Sequence, residues 1–247
     1  MKSLVTGANG FTGSHLVRRL VERGDAVTAY VRHGSDLSRL EGLPVTYAYG
    51  EITDVTALTQ AMENAQRVFH TAAYVELGLV DAALMESVNV KGTEAVLTSA
   101  QSAGVERMLH CSTIGIYGDT QGRSVDETFV REQQGFSSAY DSTKYFGQQA
   151  VDRAAEAGFH AVSVMPSGIF GPGDPHFGPV VQQFLKGKLK VWAAGDRVTG
   201  IVHVDDLVEA MVLAIEYGQR GDHFIVSAGE LTTREMFGVF SQESGIP

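Results

Sequence analysis

Tyr140 and Lys144 close the run Tyr140-Asp141-Ser142-Thr143-Lys144, and a four-residue step puts both side chains on one face of a predicted helix. A free phenol titrates near about 10, so it exchanges protons close to neutrality only where a cation favours its phenolate, and Lys144 would supply that cation. A tyrosine and a lysine one turn apart are common on amphipathic helices, so the pair takes its meaning from its neighbours. Cys111-Ser112-Thr113 ends a predicted strand, at the edge where a Thr113 hydroxyl can bond a substrate oxygen and the tyrosine. Plain strand-end capping is the alternative for Thr113. Cys111 reads as a small buried apolar residue, since no helix N-terminus or basic partner activates it.

A second chemical signal is Thr6-Gly7-Ala8-Asn9-Gly10-Phe11-Thr12-Gly13, between the first predicted strand and the first predicted helix. Backbone N–H groups at a helix N-terminus can approach the oxygens of a diphosphate only where no side chain intervenes. Gly7 allows the tight turn, Gly10 the close approach, and Gly13 the packing of helix on strand. The spacing is G-x-x-G-x-x-G, which makes Gly7, Asn9, Gly10, Phe11, Thr12 and Gly13 candidate cofactor contacts; a glycine-rich loop without a ligand is the alternative. An NAD site normally carries an acidic residue about 20 positions onward. Here the second strand ends Ala29-Tyr30-Val31-Arg32-His33, with no carboxylate at its tip. Arg32 suits the 2′-phosphate of NADP(H), which is favoured over NAD(H), unless it is a solvated surface arginine.

The elements that must position these groups alternate. Short apolar runs at 3–6, 26–31, 45–49, 67–71, 107–112 and 160–165 predict strands. Stretches at 13–23, 55–63, 85–103 and 142–157 carry apolar residues three and four apart and predict crossover helices. The reading is α/β: a Rossmann-type, doubly wound parallel sheet. Gly171, Pro172, Gly173, Pro175, Gly178 and Pro179 then exclude a long helix or central strand. Helices are expected again at 180–186, 204–217 and 233–244. The division expected is a dinucleotide-binding core over 1–165 and a small substrate lobe over 166–247, interleaved with the last strands and helices of the core.

The 247 residues are 44% hydrophobic and 19% charged, with a net charge of −10, so the chain folds and repels nucleic acid and anionic membrane surfaces. Cys111 is the single cysteine, which excludes an internal disulfide. No signal peptide or membrane-spanning run is evident, and the expected location is the cytoplasm.

Together TGANGFTG, His70-Thr71-Ala72-Ala73, Asn89-Val90-Lys91-Gly92-Thr93, the run Cys111 to Gly118, YDSTK and His203-Val204-Asp205-Asp206 resemble the extended short-chain dehydrogenase/reductase superfamily, often labelled NAD-dependent epimerase/dehydratase. The resemblance covers nearly the whole chain, in order. It implies Tyr140 as general acid/base, Lys144 lowering its pKa and holding the nicotinamide ribose, and Thr113 positioning the substrate oxygen. It further implies that Glu51 and Ile52 contact adenine, that Ala72 and Ala73 wall the diphosphate and ribose, and that Pro166 and Ile169 form the nicotinamide-side turn. Asn89 would order the active-site backbone next to the cofactor, and Asp205 would cap the following helix. No metal ligand set is implied. Ile114-Gly115 stand where sugar-nucleotide dehydratases carry Asp-Glu, and Thr199 stands where epimerases commonly carry a diphosphate-clamping arginine, leaving Arg197 to substitute. The pattern looks most like the dihydroflavonol-reductase, aldehyde-reductase and hopanoid-associated epimerase branches. Family members usually continue beyond an equivalent of Pro247, so a truncated lobe is expected. A homodimer through the helices at 85–103 and 142–157 is the family's usual assembly.

Three functions compete. The leading one is an NADP(H)-preferring oxidoreductase acting on a small-molecule carbonyl or alcohol. The second is a sugar epimerase with tightly held NAD+, and the third a dinucleotide-binding regulator without catalysis. The segments 74–84, 119–138 and 173–200, with Trp192, suit recognition of a moderately apolar substrate, and ordinary packing of the lobe is the alternative for the same residues.

Overall fold

The computed structural model describes residues 1–75, 80–189 and 195–246. Its strands are β1 (Lys2–Thr6), β2 (Ala26–Val31), β3 (Thr46–Tyr49), β4 (Arg67–His70), β5 (Arg107–Cys111), β6 (Ala161–Pro166), β7 (Gly168–Phe170), β8 (Val198–His203), β9 (His223–Val226) and β10 (Gly229–Thr232). Its helices are α1 (Phe11–Glu22), α2 (Val55–Ala61), α3 (Ala82–Glu86), α4 (Gly92–Ser102), α5 (Ala139–Glu156), α6 (Gly178–Leu185), α7 (Val204–Tyr217) and α8 (Thr233–Ser244). Seven strands form one sheet in the order β3-β2-β1-β4-β5-β6-β9, all parallel. The winding reverses between β1 and β4, and their carboxyl ends part to leave a crevice above the sheet.

Both faces are covered by helices, as a parallel sheet requires. In α1, Leu16, Val17 and Leu20 lie on one stripe and pack with Leu207, Val208, Met211 and Ile215 of α7 over Val5, Ala29 and Leu109. On the other face Val96, Leu97 and Ala100 of α4 and Val151 of α5 cover Leu4, Val68 and Met108. Each such side chain taken fully out of water contributes about 1.5–3 kcal/mol. The apolar stripes of α4 and α5 are thus used in covering the sheet.

The structure differs from expectation in instructive places. The single helix expected at 85–103 is α3, a π turn over Ser87–Lys91 and α4. The helix expected from Ser142 starts at Ala139, because the Ser138 side chain accepts from the Asp141 N–H at 3.0 Å and caps it. This places Tyr140 in the first turn. The cap of α7 is His203 and not Asp205: the His203 ring accepts from the Asp205 N–H at 3.2 Å, while Asp205 occupies the first turn and meets the His15 ring at 2.9 Å. β7, β8 and β10 form a second, three-stranded sheet in a region without a clear strand pattern, and β9 completes the main sheet beside β6. These strands have three to six residues and are largely half-buried, so they lack a continuous apolar run.

Candidate active site

The glycine turn is held by backbone contacts. Gly7 has φ +66°, and a Cβ there would lie 2.7 Å from the Ala72 backbone; one on Gly13 would lie 2.1 Å from the Gly7 carbonyl oxygen. Gly10 caps α1 without a side chain, and the first bond into the helix runs from Ser14 N–H to the Gly10 carbonyl. The N–H groups of Phe11, Thr12 and Gly13 therefore have no carbonyl partner within the helix, and they open onto the crevice. Unpaired N–H groups at a bare helix start, with no Cβ in the way, fit a dinucleotide diphosphate.

One part of the crevice, about 430 Å³, brings together Gly7, Gly10–Gly13, Thr113, Tyr140, Lys144, Pro166 and Ile169. A second part, about 300 Å³, is lined by Asn9, Arg32, Glu51, Ile52, Ala72 and Ala73. Gly7, Gly10, Thr71 and Ala73 border both, so the two parts meet over the glycine turn. Asn89 is the exception. It is buried beneath the crevice, its Oδ1 accepting from Tyr74 N–H at 2.7 Å and its Nδ2 donating to Tyr74 O and to Thr143 Oγ1. The π turn carries Asn89 into this position, and Thr93 Oγ1 donates to its carbonyl. It orders the backbone and lines neither part of the crevice.

Lys144 is 3% exposed and has no ion pair among the described residues; its Nζ donates to the Cys111 carbonyl at 2.8 Å. Burial pushes its ammonium down to about 8, a shift partly opposed by Cys111. Burial also pushes the Cys111 thiol up to about 11, in keeping with an inert cysteine. The Tyr140 phenol is raised above its ordinary value, first by burial and then by Cys111 and Asp141. The expected lowering by Lys144 is therefore not among the influences on the phenol in the protein by itself, where loss of water around the ring dominates. The Tyr140 hydroxyl has no hydrogen-bond partner among the described residues and is free for a ligand. Thr113 caps the short turn Ile114–Tyr117 by accepting from Gly115 N–H at 3.1 Å, which leaves its own O–H to donate into the crevice it lines. Capping and a site role coexist.

The depressed lysine makes a prediction about stability. Below about pH 8 both folded and unfolded states hold the proton, and the cost of the buried ammonium is fully present. Between about 8 and the ordinary 10.5 the unfolded chain binds more protons, so this lysine's contribution to stability rises with pH. Thermal unfolding of Lys144→Met, set against the parent protein across that window, should lack this rise. Parallel curves would show that Lys144 titrates normally.

Sequence reasoning did not single out Asp174, His176 and Phe177, which also line the crevice. Their segment follows the Gly171–Gly173 breaker, and Asp174 Oδ1 accepts from His176 and Phe177 N–H groups to shape it. Parts of the expected recognition segments, residues 76–79 and 190–194 including Trp192, lie outside the described residues. Arg197, the expected substitute for a clamping arginine, does not line the crevice. Among the described residues no group of histidine, cysteine or carboxylate side chains could hold a metal, and no helix is long and apolar enough to cross a membrane.

Residues 3–227 match the NAD dependent epimerase/dehydratase family. Sterol demethylase protein B of Methylococcus capsulatus is 33% identical over 251 residues, covering 100% of this chain and 76% of that protein. A putative dihydroflavonol 4-reductase of Synechocystis is 32% identical, covering 98% and 72%. Among solved structures, the UDP-glucose 4-epimerase of Thermus thermophilus in complex with NAD superposes with a TM-score of 0.87 at 26% identity, covering 100% of this chain and 84% of that one.

Proposed function

Because the chain belongs to the NAD-dependent epimerase/dehydratase family, we propose that it is an NADP(H)-preferring oxidoreductase that interconverts a small apolar carbonyl compound and its alcohol. The observation that carries this reading is the convergence of Thr113, Tyr140 and Lys144 on the crevice that contains the glycine turn. When bound, the nicotinamide supplies or accepts the hydride. The chain's residues manage the proton and the oxygen. A phenol raised by burial is protonated at neutrality, so Tyr140 acts first as an acid, giving its proton to the substrate oxygen as negative charge develops there. The free Thr113 O–H donates to the same oxygen and fixes its position. Lys144, with an ammonium near about 8, stands ready to stabilise or reprotonate the phenolate. Val75, Ile169, Pro175 and Phe177 give the wall an apolar character that suits a hydrocarbon body, and the relatives named for a sterol reaction and a reductase support such a substrate. The single, half-buried thiol suits a reducing, cytoplasmic setting.

The likeness to an epimerase bound to NAD supports a second reading, sugar epimerisation with retained NAD. NADPH consumption against a panel of aldehydes and ketones separates the two. Consumption equal to alcohol formed supports reduction, whereas sugar isomerisation without consumption defeats it.

The cofactor preference rests on Arg32. It lines the adenine end of the crevice beside Val31 and Glu51, is exposed, and has no ion pair among the described residues. A charge-assisted bond to the 2′-phosphate is worth about 1.5–3 kcal/mol, or roughly 10- to 150-fold in affinity. Arg32→Ser should lower the NADPH-over-NADH ratio of kcat/KM by about that factor, and an unchanged ratio would remove Arg32 from the site.

A further inference from the structure

The segment 171–177 joins β7 to α6 and belongs to neither, so no sheet ladder or helix fixes its place. Gly171 and Gly173 take φ values of +149° and +84°, and Pro172 and Pro175 carry no N–H, which together keep the segment from extending either element. Its own bonds are short-range: Asp174 N–H donates to the Gly171 carbonyl at 3.1 Å, and Asp174 Oδ1 accepts from the N–H groups of His176 and Phe177 at 2.8 and 3.1 Å. Those bonds shape a strap but do not attach it. Pro175, His176 and Phe177 line the same part of the crevice as Thr113, Tyr140 and Lys144, so the position of the strap decides the form of that wall.

Two side chains from distant parts of the chain take consecutive carbonyls of the strap. The His15 ring meets the Pro172 carbonyl oxygen through Nε2 at 3.0 Å, and Arg39 Nη2 donates to the Gly173 carbonyl at 2.7 Å. Both stand on the half of the molecule that carries the glycine turn. His15 belongs to α1, where Phe11, one turn earlier, packs on its ring at 5.6 Å in an edge-to-face contact and Asp205 meets its other nitrogen at 2.9 Å. Arg39 lies in a short helical turn, Ser38–Leu40, anchored by the fully buried Leu40. The loop before it is tied to the glycine turn by Asn9 Nδ2, which donates to the Asp36 carbonyl at 3.1 Å. At its far end the strap delivers Phe177 to Phe237 and Phe240 of α8, with ring centroids 6.1 and 6.2 Å apart. Neither His15 nor Arg39 lines the crevice.

We propose that His15 and Arg39 are positioning residues that clasp the strap to the nucleotide-binding half and thereby seat the wall on which the carbonyl compound binds. The clasp rests on the reductase reading above, which puts a carbonyl compound in this part of the crevice. A strap that has lost one fastener samples other positions, and the substrate must seat it again, so the ordering cost is drawn from substrate binding. Thr113, Tyr140 and Lys144 keep their places after β5 and on α5, and the N–H groups at the start of α1 keep theirs. A seated complex therefore reacts as the parent does, and the signature of the clasp is a rise in KM for the carbonyl compound with kcat preserved.

Steady-state kinetics with NADPH and a carbonyl compound that the parent protein turns over test the clasp in Arg39→Met and His15→Leu, with NADPH affinity read by fluorescence titration. KM for the carbonyl compound should rise by about tenfold in each. Both kcat and NADPH affinity should stay within about twofold of the parent. Arg39→Lys, which keeps a charged donor on a long stem, should recover most of the loss. An unchanged KM overturns the clasp, and so does a rise in KM matched by equal losses of kcat and NADPH affinity, as packing damage around α1 would give. If the parent protein turns over no carbonyl compound, the reductase reading fails, and the clasp is judged by amide exchange alone. Deuterium uptake over 171–177, read by mass spectrometry of the cofactor-free protein, should quicken by about tenfold in Arg39→Met with α1 unaffected, and unaltered uptake overturns the clasp.

Discussion

Tyr140→Phe is expected to lower kcat/KM by about 10²–10⁴-fold while NADPH binds as before. The substitution removes one oxygen and keeps the ring. That oxygen makes no hydrogen bond within the described residues, so its loss leaves no buried partner stranded and should change stability little. The first turn of α5 is secured by Ser138 and does not depend on the phenol. What is lost is the hydroxyl that lines the crevice with Lys144 and Thr113 and, on the proposed reading, gives the substrate oxygen its proton. Titration of NADPH fluorescence, run alongside turnover, separates binding from chemistry. Full activity in this variant would end the proton-transfer assignment, and loss of NADPH binding would mean that the tyrosine serves mainly to hold cofactor.

Gly13→Ala is expected to act at the other end of the same crevice and through sterics alone. By propensity, alanine in a helix is better than glycine by about 0.8–1 kcal/mol. At Gly13 the added methyl would stand 2.1 Å from the Gly7 carbonyl oxygen and 3.0 Å from Thr71 Oγ1, both held by neighbouring strands. The backbone must move, and overpacking of this kind costs about 1–3 kcal/mol. Since the displaced atoms are the start of α1 and the turn before it, the cost falls on the N–H groups of Phe11, Thr12 and Gly13. Cofactor affinity should drop by roughly 5- to 150-fold. Gly238→Ala in α8 is the control, because nothing lies within 4 Å of a Cβ there. It should stabilise the fold by about 0.5–1 kcal/mol and leave binding alone. Equal effects at both positions, read by thermal unfolding and NADPH titration, would refute the close approach of α1 to the turn.

Fold and site were legible in the sequence to different depths. The alternation of β1 to β6 with α1, α2, α4 and α5 is written in local periodicity, and so is the glycine turn, because a Gly-rich strand-to-helix junction is a short-range feature. The four-residue step from Tyr140 to Lys144 survives for the same reason, although the helix begins earlier than apolar spacing indicates. Asn89 illustrates the limit. Its residue type and resemblance mark it as important, but only a π turn, which no periodicity announces, puts it under Tyr74 and away from the residues that line the crevice. β9 has no continuous buried run to reveal it, and its place beside β6 follows from α7 returning the chain across the sheet.

By itself, then, the sequence determined the order of β1 to β6 and the crossover helices between them, the side-chain-free cradle at the start of α1, and the spacing of the tyrosine and lysine. Only the tertiary structure decided that the Tyr140 phenol is raised and not lowered, that His203 and not Asp205 caps α7, and that His15 and Arg39 meet the carbonyls of Pro172 and Gly173. The reason is range. Helix phase and turn geometry are set by residues a few positions apart, whereas loss of solvent and contact between segments depend on groups tens to more than a hundred residues distant in the chain.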